Sequence, residues 1–178
     1  MGILNVTDDS FYDGGKYRLI DTAIERGIAI EKEGADIIDI GAESTRPGAT
    51  PMNEHAELER LLPVIQALKK EIRIPISIDS YKPKVIRECL SLGIDMINDV
   101  TGLRNNEMIS LVKESKLPVV IMHMRGTPQV MQKNIHYDDV VQELYTFFEK
   151  KLHEINYDNV IIDPGIGFGK EVEHNLLI

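Results

Sequence analysis

The 178-residue sequence predicts a parallel α/β fold, and three observations carry that reading. Short apolar runs alternate with longer amphipathic ones six times. The apolar runs are nearly continuous, as expected of strands buried on both faces, and almost every one runs out into a polar residue at its carboxyl end. Such a sheet is either doubly wound or closed as a (β/α)8 barrel, and periodicity alone does not choose between them. One echo leans toward the barrel: Gly34-Ala35-Asp36-Ile37-Ile38-Asp39-Ile40 resembles Gly93-Ile94-Asp95-Met96-Ile97-Asn98-Asp99, a helix stop followed by a strand.

In chain order the predicted strands cover residues 2–6, 37–40, 74–78, 95–100, 118–122 and 160–162. After the first, Leu19, Ile20, Ala23, Ile24 and Ile28 recur at helical spacing, and Gly34 stands where that helix should stop. Residues 57–72 form a second helical pattern that contains Pro63, so the helix is expected to kink or begin near it. Pro83 suits the first turn of the next helix and Gly93 its end, while Asn105 can cap the one that follows. Beyond the fifth strand, Val140, Val141, Leu144, Tyr145, Phe148, Leu152 and Ile155 form another apolar face. No linker or low-complexity tract interrupts the chain, so residues 1–178 are read as one domain.

Composition narrows the function. Twenty Lys plus Arg against 29 Asp plus Glu leave a formal charge of −9, which argues against a nucleic-acid backbone or an anionic membrane as partner. No apolar run approaches the roughly 20 residues that cross a bilayer. The N-terminus carries neither a secretory signal nor a myristoylation pattern, so the expected location is the cytoplasm. The lone cysteine, Cys89, fits a reducing compartment.

The functional signal lies at the strand ends, where parallel α/β proteins place their sites. Asn5 and Thr7, Asp39, Asp79 and Ser80, Asn98 and Asp99, His123, and Asp163 follow one another there. Any one of them can simply cap a helix or start a turn. Six in succession point to a shared polar pocket, because buried carboxylates and amides need partners. Residues 8–15, with Asp9, Ser10, Phe11, Asp13 and two glycines, read as a mobile loop. Residues 43–49 set Arg46 beside Ser44 and Thr45, a natural grip on phosphate or carboxylate.

The glycine-rich segment at residues 163–170 fails as a P-loop, because Pro164 and Glu171 stand where Gly and Ser or Thr are required. It remains a loop whose backbone can approach a ligand, with Phe168 as an apolar wall. The five histidines show no zinc spacing, and His123 reads as a satisfied pocket histidine. No serine sits in a nucleophile elbow. Met122 and Met124 read as packing or pocket lining.

Taken together, MGILNVTDDSFYDGG, GADIIDIGAESTRPGA, ISIDS, INDVTG, VVIMHMRGTP and IIDPGIGFGK closely resemble the dihydropteroate synthase family, the folate-pathway target of sulfonamides. The motifs stand in the family's order and span almost the whole chain. The resemblance implies a pterin-binding (β/α)8 barrel, of which this sequence holds about six strand–helix units. It also implies condensation of 6-hydroxymethyl-7,8-dihydropterin pyrophosphate with 4-aminobenzoate.

By that resemblance Asp79, Asn98 and Asp163 hold the pterin, with Met122 and Gly167 lining its site. Thr45, Arg46 and Phe168 meet aminobenzoate and pyrophosphate, and Asn5 ligates Mg²⁺. Asp79, Asp163 and Arg46 are the residues expected to carry catalysis, and the full-length protein is expected to be a homodimer. The alternatives are a pterin-dependent methyltransferase domain and a pterin-binding module without catalysis.

The sequence departs from the family at Asp8, where proline is usual, and more mildly at Tyr12, Ala42 and Ser80. Barrels typically run about 250 residues. The family's lysine after the seventh strand, and its arginine and histidine near the eighth, have no counterpart among these residues. The chain is therefore expected to be a fragment of a longer enzyme, without a short N-terminal lead-in and the C-terminal units.

Overall fold

The computed structural model describes residues 1–7, 15–45 and 48–178, with backbone alone over 15–19. The chain forms two compact units, Met1–Ser44 with Pro51–Asn98, and Thr45–Thr50 with Asp99–Ile178.

The first unit alternates strand and helix: β1 (Gly2–Asn5), α1 (Gly15–Lys32), β2 (Ile38–Gly41), α2 (Glu54–Glu71), β3 (Ile76–Asp79), α3 (Pro83–Ser91) and β4 (Met96–Asp99). Its strands are parallel and lie side by side in chain order. A doubly wound sheet reverses its strand order at a switch point, whereas an unreversed run of neighbouring crossovers is the winding of a barrel.

Alternation along the strands separates two faces. Leu4, Ile40, Ile78 and Ile97 stand in one register row and are all buried. Their face is the helix side: Ile38, two residues before Ile40, reaches Gly27 of α1, where an added Cβ would come 3.4 Å from Ile38 Cδ1 and 2.4 Å from Leu68 Cδ2 of α2. Gly27 is thus the point at which α1 and α2 approach closely.

Helix ends follow the sequence reading. Gly34 and Gly93 adopt left-handed φ values of 95° and 74°, and Pro83 opens α3. Pro63 neither ends nor begins a helix. α2 runs through it, started ten residues earlier by Asn53, whose side chain accepts the Ala56 N–H at 2.9 Å, and anchored by buried Leu61, Val64, Ile65 and Leu68. Packing on both sides of Pro63 outweighs the loss of one backbone donor.

The second unit holds α4 (Asn106–Ser115), β5 (Val119–Met122), α5 (Val140–Ile155), β6 (Val160–Asp163) and α6 (Val172–Leu177). Asn105 caps α4 as expected, accepting the Glu107 N–H at 2.8 Å, and Asp139 caps α5 through Gln142 N–H. β5 and β6 pair in parallel, from Val119 opposite Val160 to Met122 opposite Asp163. The apolar face read on α5 divides in two. Val140, Leu144, Phe148 and Ile155 are buried, whereas Val141, Tyr145 and Leu152 are exposed and, with Ile162 and Pro164, border an apolar groove of about 530 Å³.

No helix among the described residues is long and apolar enough to cross a membrane.

Candidate functional site

In the first unit, Asn5, Gly41, Asp79 and Asn98 occupy consecutive register positions at the carboxyl ends of β1 to β4. In-register residues of parallel strands project to one face, so the row sets an amide, a gap, a carboxylate and a second amide side by side. Gly41 is the gap. A Cβ there would lie 3.3 Å from both Cβ and Oδ2 of Asp79, so glycine leaves the carboxylate its room. Asp79 and Asn98 are half-buried, and Asn5 is exposed.

Asp39 corrects the sequence reading. β2 extends to Gly41, so Asp39 lies inside the strand rather than at its end, in register with Ser77 and, beyond it, Met96. It is buried at 5% exposure and accepts the Asn98 amide N–H at 2.9 Å through Oδ2. Burial raises its carboxyl above the ordinary range, opposed in part by Ser77 and Asn98.

A second buried polar cluster escaped the sequence reading. Lys82, at the start of α3, pairs with both Glu43 and Glu57, whose side chains are 9% and 1% exposed. Glu43 also accepts Tyr81 Oη–H at 2.8 Å and Met52 N–H at 3.0 Å. Burial alone would lower the Lys82 ammonium, but the hydrogen bonds and charges of the two carboxylates outweigh it and raise the pKa. Glu43 and Met52 flank the segment that carries Thr45, so Glu43 closes the stem of that loop. Residues 39, 57 and 82 are too far apart in sequence for any local pattern to have paired them with 98 or 43.

In the second unit the site residues gather at the ends of β5 and β6. Met122 is buried opposite Asp163, and Asp163 Oδ1 accepts the Gly165 N–H at 2.8 Å. The 165–168 turn is closed by Phe168 N–H to Gly165 O at 3.0 Å. Its glycines serve different ends. Gly165 has φ 70°, and an added Cβ would stand 2.1 Å from His123 O. Gly167 is equally left-handed, at φ 81°, but opens on empty space.

His123 is the satisfied histidine expected from the sequence. It is buried, meets the Phe147 ring edge-on at 4.9 Å, and is held down to about 4 by burial and by the charges of Lys170, Arg125 and Arg104. Asp99 follows the turn-forming alternative, accepting both Thr101 N–H at 2.7 Å and Thr101 Oγ1–H at 2.6 Å. Thr45 is half-buried in this unit, and nearby Gly48 N–H donates to Pro128 O at 3.1 Å. Arg46 and the expected loop residues Asp9, Ser10, Phe11 and Asp13 lie outside the described residues.

A parallel α/β protein wound as a barrel, with amides and carboxylates ranked along its carboxyl strand ends, belongs to the class that binds polar small molecules there. Comparison with known proteins is specific. The profile of the family described as pterin binding enzyme matches residues 1–178, and the chain belongs to that family.

Among its relatives, the dihydropteroate synthase of Synechocystis sp. is 43% identical over 184 residues, covering all of this chain and 64% of its own length. The crystal structure of Yersinia pestis dihydropteroate synthase in complex with a sulfonamide drug superposes with a TM-score of 0.91 at 39% identity, covering 99% of this chain and 66% of that one. The Xanthomonas albilineans enzyme with 4-aminobenzoic acid gives 0.91 at 42% identity, covering 99% and 64%. The chain thus spans just under two thirds of the length of these relatives.

Proposed function

We propose that this chain is the pterin-handling portion of a dihydropteroate synthase. The reading rests on one observation above all, the register row Asn5–Gly41–Asp79–Asn98, which ranks a metal-compatible amide and two pterin-compatible groups on one face. Family membership over residues 1–178 supports it.

In this reading Asp79, Asn98 and Asp163 are the residues that hold the pterin, with Met122 and Gly167 among the substrate-binding residues. A carboxylate accepts the ring's amino and N–H groups in parallel, each charge-assisted bond contributing about 1.5–3 kcal/mol when buried. Thr45, Arg46 and Phe168 receive aminobenzoate and pyrophosphate. Asp9, Ser10, Phe11 and Asp13 help exclude water from the reaction. The bond from the pterin methylene carbon to pyrophosphate breaks first, leaving a cationic methylene; the amine nitrogen of 4-aminobenzoate then bonds to that carbon and gives up a proton. Asp79, Asp163 and Arg46 stabilise the charges that develop, and no protein nucleophile is required.

Asn5 suits a Mg²⁺ site of the substrate-assisted kind. Mg²⁺ takes hard oxygen ligands, commonly one or two from protein and the rest from phosphate and water, and an exposed strand-end amide oxygen offers one. Bound there with pyrophosphate, the ion would neutralise charge on the leaving group. The full-length protein is, in the same reading, a cytoplasmic homodimer, and a free buried Cys89 fits that reducing setting.

Calorimetric titration of the chain with a non-hydrolysable dihydropterin pyrophosphate analogue, with and without Mg²⁺, tests the proposal. Mg²⁺-strengthened binding is expected. A folded chain that binds no pterin at all would refute it.

A further inference from the structure

Lys170 follows the glycine-rich turn and is 4% exposed. Its ammonium contacts Gly165 O at 3.0 Å, Phe168 O at 3.2 Å, His123 O at 3.3 Å and His123 Nδ1 at 3.1 Å. These partners are three carbonyl oxygens and one imidazole nitrogen. An ammonium can only donate, so Nδ1 accepts and the neutral His123 ring carries its proton on Nε2. Gly165 O also takes the Phe168 N–H, and Gly165 N–H goes to Asp163 Oδ1. One chain of hydrogen bonds therefore runs from Lys170 through Gly165 to the Asp163 carboxylate, and another from Lys170 to the backbone of Phe168.

We propose that Lys170 is a positioning residue whose buried ammonium ties the 165–168 turn to the end of β5 and so sets Asp163 and Phe168 for their ligands. What those ligands are rests on the reading above; the tie itself does not. Burying a cation among uncharged partners is costly, and an apolar side chain would fill the space more cheaply. Burial lowers the Lys170 pKa to about 8, with Asp163 the strongest charge opposing the fall. Loss of its proton leaves two donors for these four acceptors and removes the charge, which weakens the tie to the turn.

Other groups facing Lys170 are His123, Arg125, Glu143 and Asp163, with Tyr137 bonded to Gly169 O. His123 is neutral well below pH 8, and burial pushes Tyr137 above its ordinary value.

The test compares the chain with Lys170→Met and Lys170→Arg, reading amide hydrogen exchange at Gly165 and Phe168 without ligand, and affinity for the pterin analogue from about pH 6 to about pH 10. In Lys170→Met both amides should lose about tenfold in protection and pterin affinity should fall about tenfold. Affinity of the unaltered chain should decline as pH rises through about 8. Lys170→Arg, which keeps its charge, should stay flat through that window. Unchanged protection in a folded Lys170→Met, or pH-independent affinity in the unaltered chain, overturns the proposal. Should Lys170→Met not fold, the pH profiles of the unaltered chain and Lys170→Arg decide it. Exchange that depends on Lys170 in a chain that binds no pterin supports the tie and refutes the pterin reading.

Discussion

The Asn98 side-chain amide donates to Asp39 Oδ2 at 2.9 Å, so the orientation of a half-buried amide near the end of β4 is set by a carboxyl deeper in the sheet. That bond fixes which end of the Asn98 amide faces Asp39. Asp39→Leu removes the acceptor without adding a donor. Pterin affinity should drop about tenfold while the strand content persists, measured by titration beside far-ultraviolet dichroism.

Three glycines give a graded steric series. Gly41→Ala crowds the Asp79 carboxylate at 3.3 Å, so binding should weaken with little change in stability. Gly165→Ala meets the backbone oxygen of His123 at 2.1 Å as well as a left-handed φ, and should cost at least about 2 kcal/mol. Gly167→Ala carries only the conformational cost of about 1–2 kcal/mol. Urea denaturation of the three variants reads the order directly.

Lys82 is the cation for two buried carboxylates. Lys82→Met should destabilise the chain by about 3–5 kcal/mol, because Glu43 and Glu57 are left without it. Adding Glu57→Met should recover part of that loss. If the single variant is as stable as the parent, the cluster contributes no stability.

His123 yields a pH signature. Its folded-state pKa is about 4, below the ordinary 6.5 of the unfolded chain. Between those values the unfolded state binds a proton that the native state refuses, so stability falls as pH drops from about 6.5 to about 4, by up to about 3 kcal/mol. Denaturation curves across that range, compared with His123→Gln, should show the slope reduced in the variant.

Much of this was legible in the sequence. Strand positions followed from short apolar runs, and Gly34, Gly93, Pro83 and Asn105 mark the boundaries they predict, because left-handed φ, fixed φ and side-chain capping are local properties. Asn5, Asp79 and Asn98 share a row because each stands at or one residue before the end of its strand in the same register. What the sequence could not reveal depends on pairing across distance. Asp39 with Asn98, Lys82 with Glu43 and Glu57, and Lys170 with His123 are separated by 59, 39, 25 and 47 positions. Local pattern was also incomplete at two places. Pro63 is carried through α2 by buried neighbours, and the apolar face of α5 is buried along one side only.

Whether Asp163 holds a pterin is read from the affinity of Asp163→Asn for the dihydropterin pyrophosphate analogue beside that of the parent chain. The parent should bind, and the variant, with an unchanged far-ultraviolet spectrum, should not. Parent-like affinity in Asp163→Asn would contradict that role.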